Sequence, residues 1–161
     1  MHKHLRRLEQ VWIDQPIYFI TACTKNRRAI LTHTAITDIL VDEWRTSRAR
    51  HGWIVGRYVV MPDHVHFFCT AEHDAKTLSE FMRNWKSWTG KRINRLIQPG
   101  SPTPATTNVI WQSEFFDRVL RSGESYSEKW KYVRENPVRA GLVSSADEWK
   151  FAGEIETLTA L

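Results

Sequence analysis

The segment from Trp53 to Cys69 contains two strand-like runs separated by a short turn. WIVGRYVVM and HVHFFC are both rich in β-branched and aromatic residues, and Pro62-Asp63 stands between them. Proline and aspartate are common turn residues, so the segment predicts a β-hairpin. Any fold for this chain must therefore include an antiparallel strand pair, and the second strand of that pair carries two histidines.

The elements around this hairpin follow from the same kind of pattern. Strand-like composition recurs in IYFITAC (Ile17 to Cys23) and in FFDRVLRS (Phe115 to Ser122). Apolar residues at helical spacing predict helices from Thr34 to about Arg50, from near Thr77, and from near Ser125 to about Asn136. The order β-α-β-β-α-β-α indicates an α+β fold, a ferredoxin-like βαββαβ antiparallel sheet with helices on one face, followed by one further helix.

The second of these helices has a recognisable start and a predicted buried face. Thr77 and Glu80 have the S/T-x-x-E spacing of a capping box. Basic residues occupy the outer faces of the helix. The predicted apolar stripe consists of Leu78, Phe81, Trp85, Trp88 and Leu96.

The composition is that of one compact domain with an excess of basic residues. The chain has 161 residues, 42% of them hydrophobic, and a formal net charge of +5, which favours a polyanionic partner without requiring one. The two cysteines lie in apolar runs and indicate a reduced protein, and neither a signal peptide nor a membrane span is recognisable. We expect a single domain over residues 1–161, with a core at about 16–143 and a tail at 144–161, in the cytoplasm.

His64 and His66 are separated by one residue, Val65. Residues i and i+2 of a strand point to the same face, so the two imidazoles project together while Val65 points to the opposite face. Neutral imidazoles are common metal ligands, and this spacing can present two of them to one ion. The motif is short, however, and two histidines on a strand surface would give the same pattern.

The C-terminal helix carries a tyrosine away from its predicted buried face. At about 100° per residue, one stripe of this helix collects Tyr126, Trp130, Val133 and Pro137. Tyr132 lies roughly 120° from the centre of that stripe, and Lys129 and Asn136 flank its face. The pattern alone is equally consistent with an exposed tyrosine of no special role.

Three motifs along the chain occur together in one known family. MPDHVHFF, WQSEFFDRVLRS and YVRENPVRAGLV strongly resemble the REP-associated tyrosine transposases, single-tyrosine relatives of the HUH endonucleases. The resemblance runs from about Ile17 to Leu142 in the same order. It implies a metal-dependent single-stranded DNA endonuclease and strand transferase, which acts on hairpin DNA of the repetitive extragenic palindrome type through a 5′-phosphotyrosine intermediate.

The resemblance also implies roles for individual residues. His64 and His66 match the metal-binding pair, with Mg²⁺ or Mn²⁺ as the implied ion. Tyr132 matches the nucleophile, and Asn136 occupies the position of a third, helix-borne ligand. The segment between the tyrosine and the NP dipeptide is VRE, whereas many members of the family are more apolar there.

Basic side chains are expected to contact the DNA backbone. Lys129 or Lys86 could in addition help Tyr132 to lose its proton, because free tyrosine has a pKa of about 10. The candidates for DNA contacts are Arg27, Arg28, Arg83, Lys86, Arg92, Arg118, Arg121, Lys129 and Arg139.

Two other functions fit the same sequence. One is a binding protein for hairpin DNA or RNA with little or no cleavage activity, although pure binding needs neither the histidine pair nor Tyr132. The other is a metal-dependent hydrolase that activates water and uses Tyr132 only structurally. We expect a nucleoid-associated monomer, with a dimer as the alternative.

Overall fold

A computed structural model describes residues 15–99, 109–120 and 123–158 of the chain. The predicted order of strands and helices is confirmed in these ranges, whereas the candidate DNA contact Arg121 and most of the polar segment 98–108 lie outside them. The elements are β1 (Ile17–Cys23), α1 (Thr34–His51), β2 (Trp53–Val60), β3 (His64–Ala71), α2 (Leu78–Ile97), β4 (Phe116–Leu120), α3 (Gly123–Arg134), α4 (Asn136–Arg139) and β5 (Ala152–Glu154), with 3₁₀ turns at Lys25–Arg27 and Ala146–Glu148.

The strands form one five-stranded sheet in the order β4-β1-β3-β2-β5. Each neighbouring pair is antiparallel, and the first four strands give the predicted ferredoxin-like arrangement. β5 was not predicted, because its sequence Ala-Gly-Glu has none of the β-branched and aromatic residues that mark a strand. It forms where the C-terminal tail pairs with the outer edge of β2.

One face of the sheet packs against α1 and α2. In β3 this face is formed by Val65, Phe67 and Cys69, all fully buried. The predicted stripe of α2 is only partly correct, because Trp88 is 49% exposed and Leu96 is 47% exposed. The residues of α2 that are buried are Phe81, Met82, Trp85, Thr89, Gly90, Ile93 and Asn94.

The opposite face of the sheet carries α3 and the C-terminal tail. Trp149 in the tail donates its Nε1–H to the carbonyl oxygen of Val60, at 3.0 Å, which ties the tail to the end of β2. The helix that carries Tyr132 is α3, and it lies on the face of β3 opposite to Val65. The core on this side includes Phe19, Val59, Phe68, Tyr126, Val133 and Leu158.

The helix boundaries follow from local hydrogen bonding. The Glu80 N–H donates to Thr77 Oγ1 at 3.2 Å and the Thr77 N–H donates to Glu80 Oε2 at 3.4 Å, so the predicted capping box is present. α3 ends at Arg134, before the predicted Asn136, and the chain continues as the separate turn α4. Pro137 contributes to this interruption, since it has no N–H to donate to the preceding helical turn.

The predictions about the two cysteines and about membrane spans can be compared with the structure. Cys23 and Cys69 are both buried and free, as expected for cysteines that serve as core residues. None of the helices in the described ranges has the length and apolar character needed to cross a bilayer. The cytoplasmic location stays a prediction.

Gly56 lies in β2 between Val55 and Tyr58, where the register with β3 shifts. A Cβ at this position would lie 2.6 Å from Leu158 Cδ1 and 2.7 Å from the hydroxyl oxygen of Tyr126. We therefore expect Gly56→Ala to lower the free energy of unfolding by about 1–3 kcal/mol, as overpacking usually does. Gly90→Ala is the matched control, because its Cβ would meet nothing closer than 3.9 Å.

Urea unfolding of the two variants measures this difference directly. Gly90→Ala should raise the free energy of unfolding by about 0.5–1 kcal/mol, since alanine is the better residue in a helix interior. Equal stability of the two variants would contradict the close packing of α3 and the tail over Gly56.

Candidate active site

The two histidines of β3 lie side by side on the face that carries α3. Their ring centroids are 4.8 Å apart and their planes are inclined by 78°. Val65 between them is fully buried in the core on the opposite face. The prediction that strand alternation brings both imidazoles to one face is confirmed.

Each imidazole is anchored through its Nδ1 atom. His64 Nδ1 lies 2.7 Å from Asp63 Oδ1, and His66 Nδ1 lies 2.8 Å from the hydroxyl oxygen of Thr21 on β1. Arg27 in turn donates its Nε–H to the other carboxylate oxygen of Asp63 at 2.9 Å. These contacts leave Nε2 as the nitrogen of each ring that is available to a ligand, and they fix the ring orientations.

The surroundings keep His66 neutral and Asp63 charged. Burial, reinforced by the neighbouring His64 and then by the positive charges of Lys129 and Arg139, lowers the pKa of His66 to about 3. Burial alone would raise the pKa of Asp63, but the hydrogen bonds from His64 and Arg27 outweigh it and lower that pKa. A neutral imidazole keeps a lone pair for a metal ion, which a protonated one does not.

The donor set fits a divalent ion, although it is incomplete. Two imidazoles with anchored Nδ1 atoms are a common half of a metal site. Among the described residues, no group of three or more His, Cys, Asp or Glu side chains is close enough to share one ion. Within the described ranges, any further ligand would therefore be of another residue type, and DNA or water could complete the site.

Tyr132 lies on α3 and is directed away from the core. Its side chain is 60% exposed, whereas Tyr126 and Val133 on the same helix are buried. The predicted stripe is confirmed in this respect, and Pro137 in α4 is buried as well. The phenol is thus accessible to a macromolecular substrate on the same side of the sheet as the histidines.

A chain of contacts links Tyr132 to the histidine pair. The ring of Phe19 stacks on His66 with centroids 5.2 Å apart. The Nζ atom of Lys129 lies 4.7 Å from the centroid of Phe19 and 5.5 Å from that of Tyr132. Tyr132 and Lys129 also line a groove of about 740 Å³ that runs beside β4 and includes Arg118.

Asn136 follows the break between α3 and α4. Its Oδ1 atom accepts a hydrogen bond from Arg139 Nη2. The same Nη2 donates to the carbonyl oxygen of Tyr132 at 2.7 Å, and the guanidinium carbon lies 4.0 Å from the centroid of the Tyr132 ring. The role of Asn136 as a third metal ligand stays a prediction.

The candidate DNA contacts fall into two groups. One group lies on or beside the face of the sheet that carries His64 and His66, which is the histidine face. Its members are Arg27, Arg118, Lys129 and Arg139. α2, on the opposite face of the sheet, carries Arg83, Lys86 and Arg92, and Arg28 follows the 3₁₀ turn after β1.

Two of the basic residues on α2 already have several partners within the chain. Lys86 Nζ donates to the carbonyl oxygens of Gln112, Ser113 and Glu114 at 2.9, 3.3 and 2.6 Å, and burial lowers its pKa to about 8. Arg92 is paired with both Asp42 and Glu43 of α1, each at 2.7 Å. These partners favour structural roles, and the sheet separates Lys86 from Tyr132.

Sequence reasoning missed the residues that orient the histidines. The sequence predicts Asp63 only as a turn residue and Arg27 only as a phosphate contact. In the structure the Asp63 carboxylate contacts the His64 ring, and Arg27 holds that carboxylate through a charge-assisted hydrogen bond. An acidic residue directly before a histidine was the available signal. No sequence pattern indicates that Thr21 orients His66, because their contact depends on the register between β1 and β3.

Comparison with known proteins gives consistent matches over most of the chain. A family model described as "Transposase IS200 like" matches residues 13–136. A REP-associated tyrosine transposase of Escherichia coli (strain K12) is 24% identical over 141 residues, which cover 88% of this chain and 78% of the relative. An uncharacterized protein of Haemophilus influenzae is 21% identical over 160 residues, which cover 85% of this chain and 89% of that protein.

A solved structure shares the fold. The structure of a REP-associated tyrosine transposase bound to a REP hairpin matches with a TM-score of 0.68 at 24% sequence identity. The match covers 85% of this chain and 75% of the other. The α+β architecture, with its antiparallel sheet and its helices, is therefore common to both proteins.

Proposed function

The chain belongs to the family of IS200-like transposases, and on that basis we propose that it cuts and rejoins single-stranded DNA beside a hairpin. Tyr132 is the proposed nucleophile, and His64 and His66 are the proposed ligands of a Mg²⁺ or Mn²⁺ ion. The observation that carries the proposal is the joint presence of an exposed tyrosine and two anchored imidazoles on one face of the sheet. A hairpin-binding protein without chemistry would need neither.

The metal-binding part of the proposal rests on the state of the two imidazoles. His64 and His66 would each offer Nε2, since Nδ1 is engaged by Asp63 and Thr21, respectively. Asn136 is the proposed third protein ligand, through its amide oxygen. When bound, a divalent ion supplies Lewis acidity that polarises the scissile phosphate and stabilises its developing charge.

The nucleophilic step is a transesterification. The phenol oxygen of Tyr132 attacks phosphorus, the bond from phosphorus to the 3′-oxygen of the preceding nucleotide breaks, and a 3′-hydroxyl leaves. The product is a 5′-phosphotyrosine that keeps the energy of the phosphodiester. A second 3′-hydroxyl can therefore attack this linkage and restore Tyr132 without ATP. Lys129 is the proposed cationic neighbour of the phenol, because its Nζ lies 5.5 Å from the ring centroid.

The groove beside β4 is the proposed path of the single strand next to the hairpin. Arg118 and Lys129 line it together with Tyr132, so phosphates passing the nucleophile would meet two cations. The relative in the matching solved structure is bound to a REP hairpin, and we propose a hairpin of that kind as the partner here.

We also propose that the protein acts on DNA in the cytoplasm as a monomer, and the packing of α3 supports the monomer. α3 packs through Tyr126 and Val133 onto the histidine face of its own chain. One chain therefore carries the proposed nucleophile and the proposed metal ligands together.

An adduct assay tests the proposal. The protein is incubated with Mn²⁺ and an end-labelled DNA hairpin that carries single-stranded flanks, and the products are separated on a denaturing gel. We expect a labelled protein–DNA adduct and a fragment that ends in a 3′-hydroxyl. A free 5′-phosphate without an adduct would indicate a hydrolase, and hairpin binding without cleavage across a panel of sequences would indicate a binding protein.

Asp63 offers a separate test of the metal site. We expect Asp63→Ala to weaken Mn²⁺ binding by about 10-fold or more, because it removes the carboxylate that orients His64, and loss of such partners typically costs 10–100-fold. Isothermal titration of the DNA-free protein measures the affinity. Asp74→Ala removes an exposed carboxylate elsewhere and should leave it unchanged. Equal affinities of both variants and the wild type would contradict the role of Asp63.

A further inference from the structure

One guanidinium group contacts both functional residues of the C-terminal helices. Arg139 lies in α4, and its Nη2 donates to the amide oxygen of Asn136 and to the backbone carbonyl of Tyr132. Its guanidinium carbon is 4.0 Å from the centroid of the Tyr132 ring, which is within the range of a cation–π contact. A single exposed side chain thereby touches the proposed nucleophile twice and the proposed third ligand once.

The position of these contacts matters because the helix is interrupted between the two residues. Tyr132 belongs to the last turn of α3 and Asn136 is the first residue of α4. Pro137 cannot donate a backbone hydrogen bond to the preceding turn, and α4 has only four residues. The backbone crosses the break through a longer hydrogen bond, from the N–H of Glu135 to the carbonyl oxygen of Tyr132 at 3.3 Å. The side chain of Arg139 adds a second link, which joins Tyr132 to Asn136.

We propose that Arg139 is a positioning residue that holds the phenol of Tyr132 and the amide oxygen of Asn136 in one fixed arrangement. The inference rests on the proposed function and deepens it, since it assigns the coupling of nucleophile and third ligand to this side chain. It also replaces the prediction that Arg139 serves as a phosphate contact. The planar guanidinium suits the task, because it can stack on a ring and donate in its own plane at the same time.

The two roles predict different losses. A phosphate contact contributes to hairpin affinity and to its salt dependence, whichever basic residue provides the charge. A positioning residue leaves hairpin affinity intact and slows the chemical step. Lysine cannot replace it, because its ammonium has no plane that lies flat on the Tyr132 ring while a nitrogen at its edge donates to both oxygens.

Arg139→Gln and Arg139→Lys therefore form the informative pair of variants. Adduct formation is followed in a single turnover at saturating hairpin and Mn²⁺, and hairpin affinity is measured without metal at several salt concentrations. We expect both variants to form adduct about 10²-fold more slowly, the cost of a small misplacement of reacting groups. The slope of hairpin affinity against salt should stay that of the wild type.

Titration of the DNA-free protein with Mn²⁺ gives a readout that does not depend on activity. Both variants should bind Mn²⁺ about 10-fold more weakly, since a group that orients a ligand is lost. Arg45→Gln is the matched control, because Arg45 is an exposed arginine of α1 on the opposite side of the sheet. It should match the wild type in adduct rate and in Mn²⁺ affinity, and thermal unfolding should show all variants folded.

The outcomes separate this inference from the function on which it rests. Absence of an adduct in the wild type overturns the proposed function. A wild-type adduct together with unchanged rates and Mn²⁺ affinities in both Arg139 variants overturns the inference alone. A reduced salt slope with an unchanged rate at saturation, or full rescue by lysine, also overturns it, because either result describes a phosphate contact.

Discussion

Tyr132→Phe should abolish formation of the covalent protein–DNA adduct. The substitution removes the phenol oxygen, which is the atom proposed to bond to phosphorus, and keeps the ring that contacts Arg139 and Lys129. Loss of a covalent nucleophile commonly costs on the order of 10⁴-fold or more in rate. A denaturing gel with labelled hairpin DNA and Mn²⁺ measures the adduct, and hairpin affinity should stay near that of the wild type.

Tyr126→Phe is the matched control for this experiment. It removes a phenol oxygen from the same helix, but that oxygen accepts a hydrogen bond from the backbone N–H of Arg57 in the core, at 3.2 Å. We expect it to cost about 1 kcal/mol of stability and to leave the adduct intact. Cleavage that persists in Tyr132→Phe would show that water or another residue is the nucleophile.

His64→Ala should remove metal-dependent cleavage while sparing much of the hairpin affinity. Because losing a group that merely orients a ligand costs about 10–100-fold, losing the ligand itself should cost more than about 10²-fold in Mn²⁺ affinity. Isothermal titration with Mn²⁺ and the adduct assay report the two effects separately. The fold should survive, since His64 lies at the end of β3 with its side chain 19% exposed.

A histidine outside the pair provides the control for His64→Ala. His73 is exposed in the turn after β3, so His73→Ala changes the same residue type without altering the histidine face. Its Mn²⁺ affinity and adduct yield should match those of the wild type. Full activity of His64→Ala at low Mn²⁺ would remove the metal from the proposed mechanism.

Most of the fold was predictable because it depends on local patterns. Alternation along β3 determines that Val65 enters one core and the histidines face the other side, whatever packs there. The capping box at Thr77 determines where α2 begins, through hydrogen bonds that need no distant partner. The proline at position 137 predicted the end of α3 only to within two residues, since α3 ends at Arg134 and Pro137 lies in α4. β5 escaped prediction because it pairs as an edge strand without a strand-like sequence.

The candidate site was predictable only in part. Helical periodicity separated Tyr132 from the buried Tyr126 and Val133, and strand periodicity paired His64 with His66. Periodicity gives the face on which a side chain lies, but it does not give the partner that meets it there. The basic residues show this most clearly, because sequence alone does not distinguish Lys86, bound to three carbonyl oxygens, from Lys129, which lies over the Tyr132 ring.

The sequence by itself thus determined the order of the first four strands and of the three longer helices, the shared face of the histidines and the exposure of Tyr132. Each of these follows from the geometry of a single strand or helix. Only the tertiary structure decided that Asp63 and Arg27 orient His64, and that Thr21 orients His66. The Arg27–Asp63 and Thr21–His66 contacts join residues 36 and 45 positions apart, which loop conformation and strand register bring together and no local pattern encodes. Asp63 and His64 are neighbours in the chain, but the local pattern does not give the orientation of their side chains.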